Sequence, residues 1–319
     1  MPLVSVIITN RNYGRYVQEA LRSVREQTVS DLECWVVDDG STDDSLERLA
    51  CAFDVHLIRL EGRGQGAALN AAFELSRGEW VFLLDADDLW YPQKLGRSLE
   101  ALTQHPEWGA IQHRLRVIDE AGSPRKTRVP LGPISGGRLD ARRVFAMDYH
   151  LAPTSGWGIR RDLWERIGPI PEEIFRLRAD YYLQVLLAMT TEIGALEEEL
   201  GAYRIHERNG YSGRFSSARL TLEEYIVSRF QAFLKARFGG AWPLEGHFGY
   251  TCACVYRLRR SGRLRQAIQM AVRFARAKWP QAAREGRVAL RIGLLLMLAL
   301  SPSTGVRLAD WAVRRTFGR

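Results

Sequence analysis

Residues 80–88, with the sequence WVFLLDADD, decide the fold, because five apolar residues are followed directly by three carboxylates within four positions. A short apolar run that ends so abruptly is typical of a strand buried on both faces of a parallel sheet. The Asp-x-Asp pair, Asp85 and Asp87, offers oxygen ligands that suit Mg²⁺ or Mn²⁺ and leaves other positions open for a diphosphate. A solvated turn is the alternative interpretation of these acids, and Asp88 is expected to orient the loop.

The residues before this stretch repeat the order of strand and helix. Strands are predicted at residues 4–9, 34–37, 55–60 and 80–84. Helices are predicted at residues 43–53 and 67–76, the first of them capped by Ser41 or Thr42. This alternation indicates the α/β class, with a doubly wound, mostly parallel sheet. Ligands of such sheets bind beyond the carboxyl ends of the strands, where the acidic runs at 38–39 and 85–88 lie.

Beyond residue 100 the pattern becomes mixed and then helical. A helix is predicted over residues 174–189, and the Gly-, Pro- and Arg-rich stretch at 122–138 predicts a long mobile connection. We place a boundary near 212–218. The expected parts are an α/β domain at 1–215 and a helical C-terminal region at 216–319.

Composition and charge exclude several classes of protein. With 46% hydrophobic and 10% aromatic residues, the chain is too apolar to be disordered. The formal net charge of +8 is unevenly placed: residues 251–319 carry 15 Lys and Arg against two acids, whereas residues 1–250 carry 30 against 35. No recognition motif for nucleic acid accompanies the basic residues, so nucleic acid is not an expected partner.

Location signals favour the cytoplasm. The cysteines either lie among core residues or are too close together for a disulfide, which fits a reducing compartment; they are Cys34, Cys51, Cys252 and Cys254. The N-terminus shows no signal peptide. The longest apolar run, residues 292–300, has nine residues, whereas a membrane-spanning helix needs about 20. We expect a cytoplasmic protein, with a peripheral position at the inner face of the membrane as an option.

The basic tail predicts an amphipathic helix. Its apolar positions share one arc of a helical wheel: Leu264, Ile268, Ala271, Val272, Ala275 and Trp279. The adjoining arc is polar and basic: Arg265, Gln269, Arg273 and Arg276. One interpretation is a helix packed on the protein with a solvated arginine face. The other is contact with an anionic membrane surface or a diphosphate-linked lipid. The run 292–300 fits either a shallow insertion into such a surface or a core helix.

Four segments occur in an order that resembles the nucleotide-binding half of the family-two glycosyltransferases, inverting enzymes of the GT-A fold. They are VSVII at 4–8, VVDDGSTD at 36–43, GQGAALN at 64–70 and FLLDADD at 82–88. The resemblance is strong over about residues 3–95 and looser to about residue 212. It implies a GT-A sheet, a nucleotide-sugar donor, and Mn²⁺ or Mg²⁺ as cofactor. It also implies that residues 1–215 form the catalytic domain, with a nucleotide-sugar half at 1–100 and an acceptor half at 101–215.

The resemblance also implies roles on the donor side. The expected nucleotide-binding residues are Thr9, Arg11, Asp38, Asp39, Asn70 and Asp85. The expected metal residues are Asp87, Asp85 and His206. Leu69 stands where the family has an Arg, so a contact from that position is lost. Turn acids, loop residues and a structural histidine remain the alternatives for these positions.

On the acceptor side, Asp180 matches the general base, which removes a hydroxyl proton while the oxygen attacks the anomeric carbon. Ala179 replaces the Glu that usually precedes it, which leaves neighbouring acceptor contacts in doubt. The alternative for Asp180 is an acid that stabilises the first turn of a helix. Ser155 and Trp157 match the acceptor strand, although a buried core Trp is the stronger alternative for Trp157.

These assignments predict an inverting glycosyltransferase that moves a sugar from a nucleotide-diphosphate donor, with a UDP-sugar favoured, to a hydroxyl of a glycan or lipid-linked acceptor. The expected reaction is a metal-assisted single displacement in the assembly of surface glycans. Two alternatives remain: a sugar-1-phosphate nucleotidyltransferase, and a non-catalytic peripheral membrane or scaffold protein. A nucleotidyltransferase would have a glycine-rich loop directly after the first predicted strand, and this sequence has none there. The intact acidic pairs argue against a non-catalytic protein.

Overall fold

The computed structural model describes residues 3–50, 52, 54–209, 216–282 and 286–317. The chain divides into two compact units. The first contains Met1–Val144 and Tyr149–His206, and the second contains Phe145–Asp148 and Glu207–Arg319. Part of the predicted boundary, residues 212–215, lies outside the described residues, and the division at residue 215 stays a prediction.

In the first unit, nine strands of the described chain form one sheet. They are β1 (Val4–Asn10), β2 (Leu32–Asp39), β3 (His56–Leu60), β4 (Trp80–Asp85), β5 (Leu89–Trp90), β6 (Trp108–Ile118), β7 (Pro124–Val129), β8 (Trp157–Arg160) and β9 (Glu192–Arg204). Their order is β3-β2-β1-β4-β8-β6-β9-β5, with β7 paired to β6. The longest ladders, β1 with β2, β1 with β4 and β6 with β9, are parallel. The predicted α/β class with a mostly parallel sheet is confirmed.

Helices cover this sheet because their apolar residues recur every three or four positions. They are α1 (Gly14–Arg25), α2 (Ser45–Ala50), α3 (Gln65–Leu75), α4 (Lys94–Gln104), α5 (Ala141–Phe145), α6 (Arg161–Ile167) and α7 (Ala179–Thr190). In α1, Val17, Leu21 and Val24 pack on the strand residues Val6 and Phe82 in one buried cluster. This core fixes the strand ends at which the acidic residues lie.

Three local predictions in the first unit are wrong. The helix predicted over 174–189 begins at Ala179, because Arg178 has a left-handed φ of 61° that breaks the helix before it. The helix predicted from residue 43 begins at Ser45, since the Asp43 carboxylate accepts the Ser45 N–H at 3.0 Å. The stretch 122–138 contains the strand β7, which pairs with β6 as an exposed edge.

The second unit contains α8 (Ser217–Phe238), α9 (Phe248–Arg260), α10 (Leu264–Ala282), α11 (Gly286–Leu300) and α12 (Pro302–Phe317). The predicted helical C-terminal region is confirmed. Of the predicted apolar arc of α10, Ala271 is buried in a core with residues of α9 and α11, and Ile268 and Ala275 pack against that core, whereas Leu264 is 41% exposed. Ala267 and Phe274, which the predicted arc did not include, are buried in the same core. Among the described helices, none has both the length and the apolarity that crossing a bilayer requires. The side chain of Trp279 lies outside the described residues.

The cysteines of the described chain are free thiols. Cys34, Cys252 and Cys254 are buried and form no disulfide. Burial raises the pKa of the Cys34 thiol to about 12, so it is not a reactive thiolate. Cys51 lies outside the described residues.

Candidate active site

The parallel register brings the polar ends of three strands to one edge of the sheet. Thr9 of β1 lies opposite Asp85 of β4, and Asn10 lies opposite Asp38 of β2. The Thr9 hydroxyl donates to Asp85 Oδ1 at 3.0 Å. The two acidic runs predicted to share a site therefore meet at the carboxyl ends of neighbouring strands, as expected for this architecture.

Asp85 is held between the two halves of the first unit. Its Oδ1 also accepts a hydrogen bond from Gln65 Nε2 at 3.1 Å. Burial raises the pKa of Asp85 to about 7, and repulsion from Asp87 and Asp180 adds to that rise. The repulsion from Asp180 shows that the predicted donor acid and the predicted base share one electrostatic environment.

Asp88 orients the acidic loop. Its side chain is buried, Oδ2 accepts the Ser155 hydroxyl at 2.6 Å, and Oδ1 accepts the Arg204 N–H at 2.9 Å. Burial raises the pKa of Asp88 well above its ordinary value, and the charges of Asp87 and Asp85 add to the rise. Asp88 thus uses both oxygens inside the protein, while Asp87 points to other partners.

Asp87 lies against His206. The distance between Asp87 Oδ2 and His206 Nε2 is 3.0 Å, and both side chains are almost fully buried. The His206 ring packs against Tyr13 and Tyr16, with centroid distances of 5.4 and 4.9 Å. Burial and the charges of Asp87 and Asp85 raise the pKa of the Tyr13 phenol, so Tyr13 faces the acidic loop in its neutral form.

These residues suit a cation that is shared with a substrate. Among the described residues, no group of three or more His, Cys, Asp or Glu side chains is arranged so that it could hold a metal ion by itself. A carboxylate with a neighbouring imidazole is an incomplete donor set, and Mg²⁺ typically completes such a set with water and substrate phosphates. Asp87 and His206, with Asp85 nearby, fit a divalent ion that also binds a diphosphate.

The turn after β2 is stabilised by its own acids. Asp38 Oδ1 accepts the Ser41 N–H at 2.9 Å, and Asp38 Oδ2 accepts Asn10 Nδ2 at 2.7 Å. Asp39 accepts the main-chain N–H groups of Arg63 at 2.6 Å and Gly64 at 2.8 Å. These bonds shape the turn and leave each Asp39 oxygen one further lone pair for a ligand.

Two further donor-side residues have different settings. Arg11 is half-exposed, with its Nη1 3.7 Å from Asp39 Oδ2, so its guanidinium can reach a ligand at that turn. The Asn70 amide instead binds the main chain of Ile170, with Nδ2 donating to the carbonyl and Oδ1 accepting the N–H, both at 2.9 Å. In this structure Asn70 holds the main chain at Ile170, and its contact with a nucleotide stays a prediction.

Gly64 shows why the loop before α3 needs glycine. Its φ is 100°, and a Cβ at this position would lie 2.5 Å from the Cα of Arg176. The close approach brings α3 to the segment before α7, where Gly66 N–H also bonds to Phe175 O at 2.9 Å. The glycine-rich segment therefore joins the start of α3 to the segment that precedes α7.

Asp180 lies in the first turn of α7, beside the left-handed Arg178. Burial raises the pKa of the Asp180 carboxyl, and the positive charge of Arg178 partly offsets that rise. Gln65 connects this helix to the acidic loop: its Oε1 accepts the Ala179 N–H at 3.0 Å while its Nε2 donates to Asp85. One side chain thus connects Asp85 to the first turn of α7, the turn that contains Asp180.

The two predicted acceptor residues are interior residues. Trp157 is 2% exposed, and its indole N–H donates to Ala152 O at 2.8 Å, so the ring offers no face to a sugar. Ser155 is fully buried, and its hydroxyl also accepts the Asp85 N–H at 3.0 Å. Direct contacts with an acceptor do not follow from this geometry, which gives Ser155 a role in shaping the acidic loop.

Sequence reasoning missed three residues that complete this site. Gln65 belongs to the segment 64–70 that carries the resemblance, but no role was predicted for it, for Tyr13 or for Arg204. Arg204 is buried, with Nε donating to Asp87 O at 2.9 Å and Nη2 to Glu19 Oε2 at 2.6 Å. The one available signal was that Arg204 follows the small and apolar residues Leu200–Ala202 at the end of β9, since a buried guanidinium needs several acceptors.

A family model described as glycosyl transferase family 2 matches residues 5–168. The chain belongs to this family. An uncharacterized glycosyltransferase of Nostoc sp. is 36% identical over 232 residues, which are 71% of this chain and 71% of the relative. Family membership supports glycosyl transfer over the nucleotidyltransferase and scaffold alternatives.

Solved structures support the same fold. TarS of S. aureus in complex with UDP-GlcNAc is 18% identical, with a TM-score of 0.57 over 98% of this chain and 91% of that chain. The mannosyltransferase PcManGT of Pyrobaculum calidifontis in complex with GDP-Man and Mn²⁺ is 21% identical, with a TM-score of 0.53 over 99% and 86%. The expected GT-A fold of this family-two glycosyltransferase is confirmed.

Proposed function

We propose that this family-two enzyme is an inverting glycosyltransferase that transfers a sugar from a nucleotide-diphosphate donor to a hydroxyl of a glycan or lipid-linked acceptor. The single observation that carries the proposal is the Gln65 bridge between Asp85 and the first turn of α7, which sets a donor-side acid and a candidate base in one site. A UDP-sugar is the favoured donor, and the neighbours bound to UDP-GlcNAc and GDP-Man support a nucleotide-sugar of some kind.

Asp180 is the proposed general base. It removes the proton from the acceptor hydroxyl as that oxygen forms its bond to the anomeric carbon, and the bond from this carbon to the diphosphate breaks on the opposite face. The electron pair leaves with the nucleoside diphosphate, so the configuration inverts. A carboxylate whose pKa is raised by burial is a stronger base than an ordinary Asp, which suits proton removal near neutral pH.

Asp87 and His206, with Asp85 beside them, would hold Mn²⁺ or Mg²⁺ together with oxygens of the donor diphosphate. When bound, the ion would supply positive charge against the charge that builds on the leaving diphosphate. The Mn²⁺ in the PcManGT complex supports the use of a divalent ion. Asp88, Ser155 and Arg204 act through the loop, because their hydrogen bonds hold it in the conformation that presents Asp87.

The nucleotide is proposed to lie along the ends of β1 and β2. The carboxylate of Asp39 accepts hydrogen bonds from the nucleobase with its remaining lone pairs. Asp38 holds the turn in which Asp39 lies. Thr9 and Arg11 approach the nucleotide from the loop after β1, where the half-exposed guanidinium of Arg11 suits an anionic group. A cytoplasmic location at the inner face of the membrane belongs to the same proposal, since lipid-linked acceptors are found there.

A donor screen tests the proposal. Hydrolysis of UDP-, GDP- and dTDP-sugars is measured with Mn²⁺ or Mg²⁺, and nucleotide binding is followed by the shift in melting temperature. Asp87→Asn should abolish the metal-dependent shift, whereas Asp180→Asn should retain it and stop transfer. The exposed Asp31→Asn is the matched control and should behave as the wild type. Absence of turnover and of metal-dependent binding for every donor would refute the proposal.

A further inference from the structure

The turn between α9 and α10 is fixed by main-chain hydrogen bonds. Gly262 has a left-handed φ of 77°. The Arg263 N–H donates to Leu258 O at 2.9 Å, and the Gly262 N–H donates to Arg259 O at 3.1 Å. These two bonds form a Schellman motif, the ordered end of a helix. The arginines that flank the turn are therefore attached to a rigid backbone.

Three arginines around this turn have no role in ion pairing within the described chain. Arg260, Arg263 and Arg265 are exposed and belong to none of its ion pairs, whereas the nearby Arg257 pairs with Glu224 at 3.0 Å. Arg263 and Arg265 also lie at the N-terminus of α10, whose first turn contains no acid. Cations near the positive end of a helix dipole destabilise the helix. Binding to a partner would explain why these two arginines occupy positions where their charges destabilise α10.

Exposed leucines lie beside these arginines. Leu264 is 41% exposed and Leu300, at the end of α11, is 63% exposed. The Arg259 guanidinium donates to Leu300 O at 3.2 Å, which brings the end of α11 next to the turn. The core of the unit is formed by other apolar residues of these helices, among them Leu258 and Leu295. Leu264 and Leu300 are therefore not needed to complete the packing.

We propose that this surface, named here the basic end and formed by Arg260, Arg263, Leu264, Arg265 and Leu300, docks on an anionic lipid bilayer. Leucine side chains gain free energy by entering the acyl boundary, and guanidinium groups form paired hydrogen bonds with lipid phosphates. Leu264 and Arg265 belong to the two arcs that sequence periodicity gave for α10, but Ala271 of the apolar arc is buried in the unit, so the exposed surface lies at the N-terminal end of the helix and not along its side.

The same features disfavour two other partners. A second copy of the chain would bring like charges together, which opposes association. A nucleic acid would use the arginines but would leave the leucines in water, and its recognition needs no apolar side chain at the backbone. An anionic bilayer uses both kinds of side chain.

Vesicle sedimentation with the full-length protein tests the proposal. Vesicles of phosphatidylcholine alone are compared with vesicles of phosphatidylcholine and phosphatidylglycerol in equal amounts. We expect binding to the anionic vesicles that weakens with added salt, and little binding to the neutral ones. Arg263→Glu/Arg265→Glu should lower the partition coefficient by roughly 30-fold, about fivefold for each arginine near an anionic surface. Leu300→Ser should lower it roughly tenfold.

In the Arg263→Glu/Arg265→Glu variant, the melting temperature and the vesicle affinity should change in opposite directions. A loss of binding can therefore be told apart from a loss of folding. Acids at the N-terminus of α10 favour the helix, so Arg263→Glu/Arg265→Glu should melt no lower than the wild type while it loses the vesicles. The matched control is Arg273→Glu/Arg276→Glu, two exposed arginines on the side of the same helix with the same change in charge. It should lose less than about threefold, because screening confines the attraction to the nearest charges.

Two results would overturn the proposal. One is an equal fall in the partition coefficient for the two double variants, which would show that the net charge of the protein, and not the basic end, determines binding. The other is a lack of vesicle binding by the wild type, including the case in which the basic end binds single-stranded RNA instead. A negative donor screen would leave these measurements unchanged, since the basic end is tested through lipid partitioning and not through transfer.

Discussion

Lys94 lies at the first position of α4 and is fully buried in the first unit. Within the described residues its Nζ has no hydrogen-bond partner, and it lies 3.6 Å from the ring centroid of Phe82 and 3.5 Å from that of Trp90. Burial lowers the pKa of Lys94 well below its ordinary value of 10.5. We predict that Lys94→Met, which keeps the shape of the chain and removes the amine, stabilises the protein.

The magnitude follows from the proton that folding removes. Taking the proton from an unfolded lysine costs at most about 5 kcal/mol at about pH 7 and about 2 kcal/mol at about pH 9. If the ammonium stayed charged, its contacts with the two aromatic rings would stabilise it by roughly 2 kcal/mol or more. This is less than the several kcal/mol that desolvation of a buried ion costs. We therefore expect Lys94→Met to stabilise the protein at about pH 7 and to lose at most about 3 kcal/mol of that advantage between about pH 7 and about pH 9.

The sign of the pH dependence is distinctive. Below pH 10.5 the unfolded chain binds more protons at this lysine than the folded chain does, so wild-type stability rises with pH and the advantage of Lys94→Met shrinks. Urea unfolding followed by tryptophan fluorescence measures the difference. The exposed Lys126→Met is the matched control and should change stability by less than about 0.5 kcal/mol at either pH. A Lys94→Met variant less stable than the wild type, or an advantage independent of pH, would refute the reasoning and show a charged ammonium held by the rings.

Three further predictions concern the site. Gln65→Ala should lower kcat roughly 10- to 100-fold with little change in KM for the donor, because it frees Asp85 from the first turn of α7. Asp180→Asn should lower transfer by roughly 100- to 10,000-fold. It should also remove the part of the activity loss at low pH that comes from protonation of this carboxyl, which begins above the ordinary Asp value of 3.8 because burial raises its pKa; the part that comes from Asp85 should remain. Ser155→Ala should destabilise the protein by about 1–3 kcal/mol in urea unfolding, since it leaves an Asp88 oxygen and the Asp85 N–H without their partner.

Matched controls exist for each of these variants. Gln104→Ala, Asp31→Asn and Ser30→Ala make the same chemical changes at exposed positions. A Gln65→Ala variant that alters KM alone would assign Gln65 to donor binding. Normal transfer by Asp180→Asn would remove this residue as the base, and an unchanged unfolding curve for Ser155→Ala would remove the serine from the support of the acidic loop.

The sheet and its acidic edge were accessible from sequence because the information is local. An apolar run followed by acids predicts both the strand and the place where it ends, as at Asp85 and Asp39. The parallel register then brings these ends together without further information.

The contacts that complete the site were not accessible, because they join residues far apart in the chain. Gln65 meets Ala179 across 114 positions, and Arg204 meets Asp87 across 117. Side-chain direction was a second obstacle. Trp157 lies in a strand of four residues, too short for periodicity to show which way its ring points, and the structure buries it.

The short segment Phe145–Asp148 belongs to the helical unit, although the chain on both sides of it belongs to the sheet unit. Phe145 packs against Phe230 and Trp242, and Asp148 pairs with Lys278 at 2.6 Å. A truncation after residue 206 would therefore remove the aromatic neighbours of Phe145 and leave the Asp148 carboxylate without its ammonium. Loss of activity in such a truncated protein would report a damaged fold, so point variants, rather than shortened chains, are the sound way to assign tasks to the two units. For the same reason, an exchange of the helical unit between family members requires two segments of the chain. Residues 145–148 have to be transferred together with the C-terminal helices.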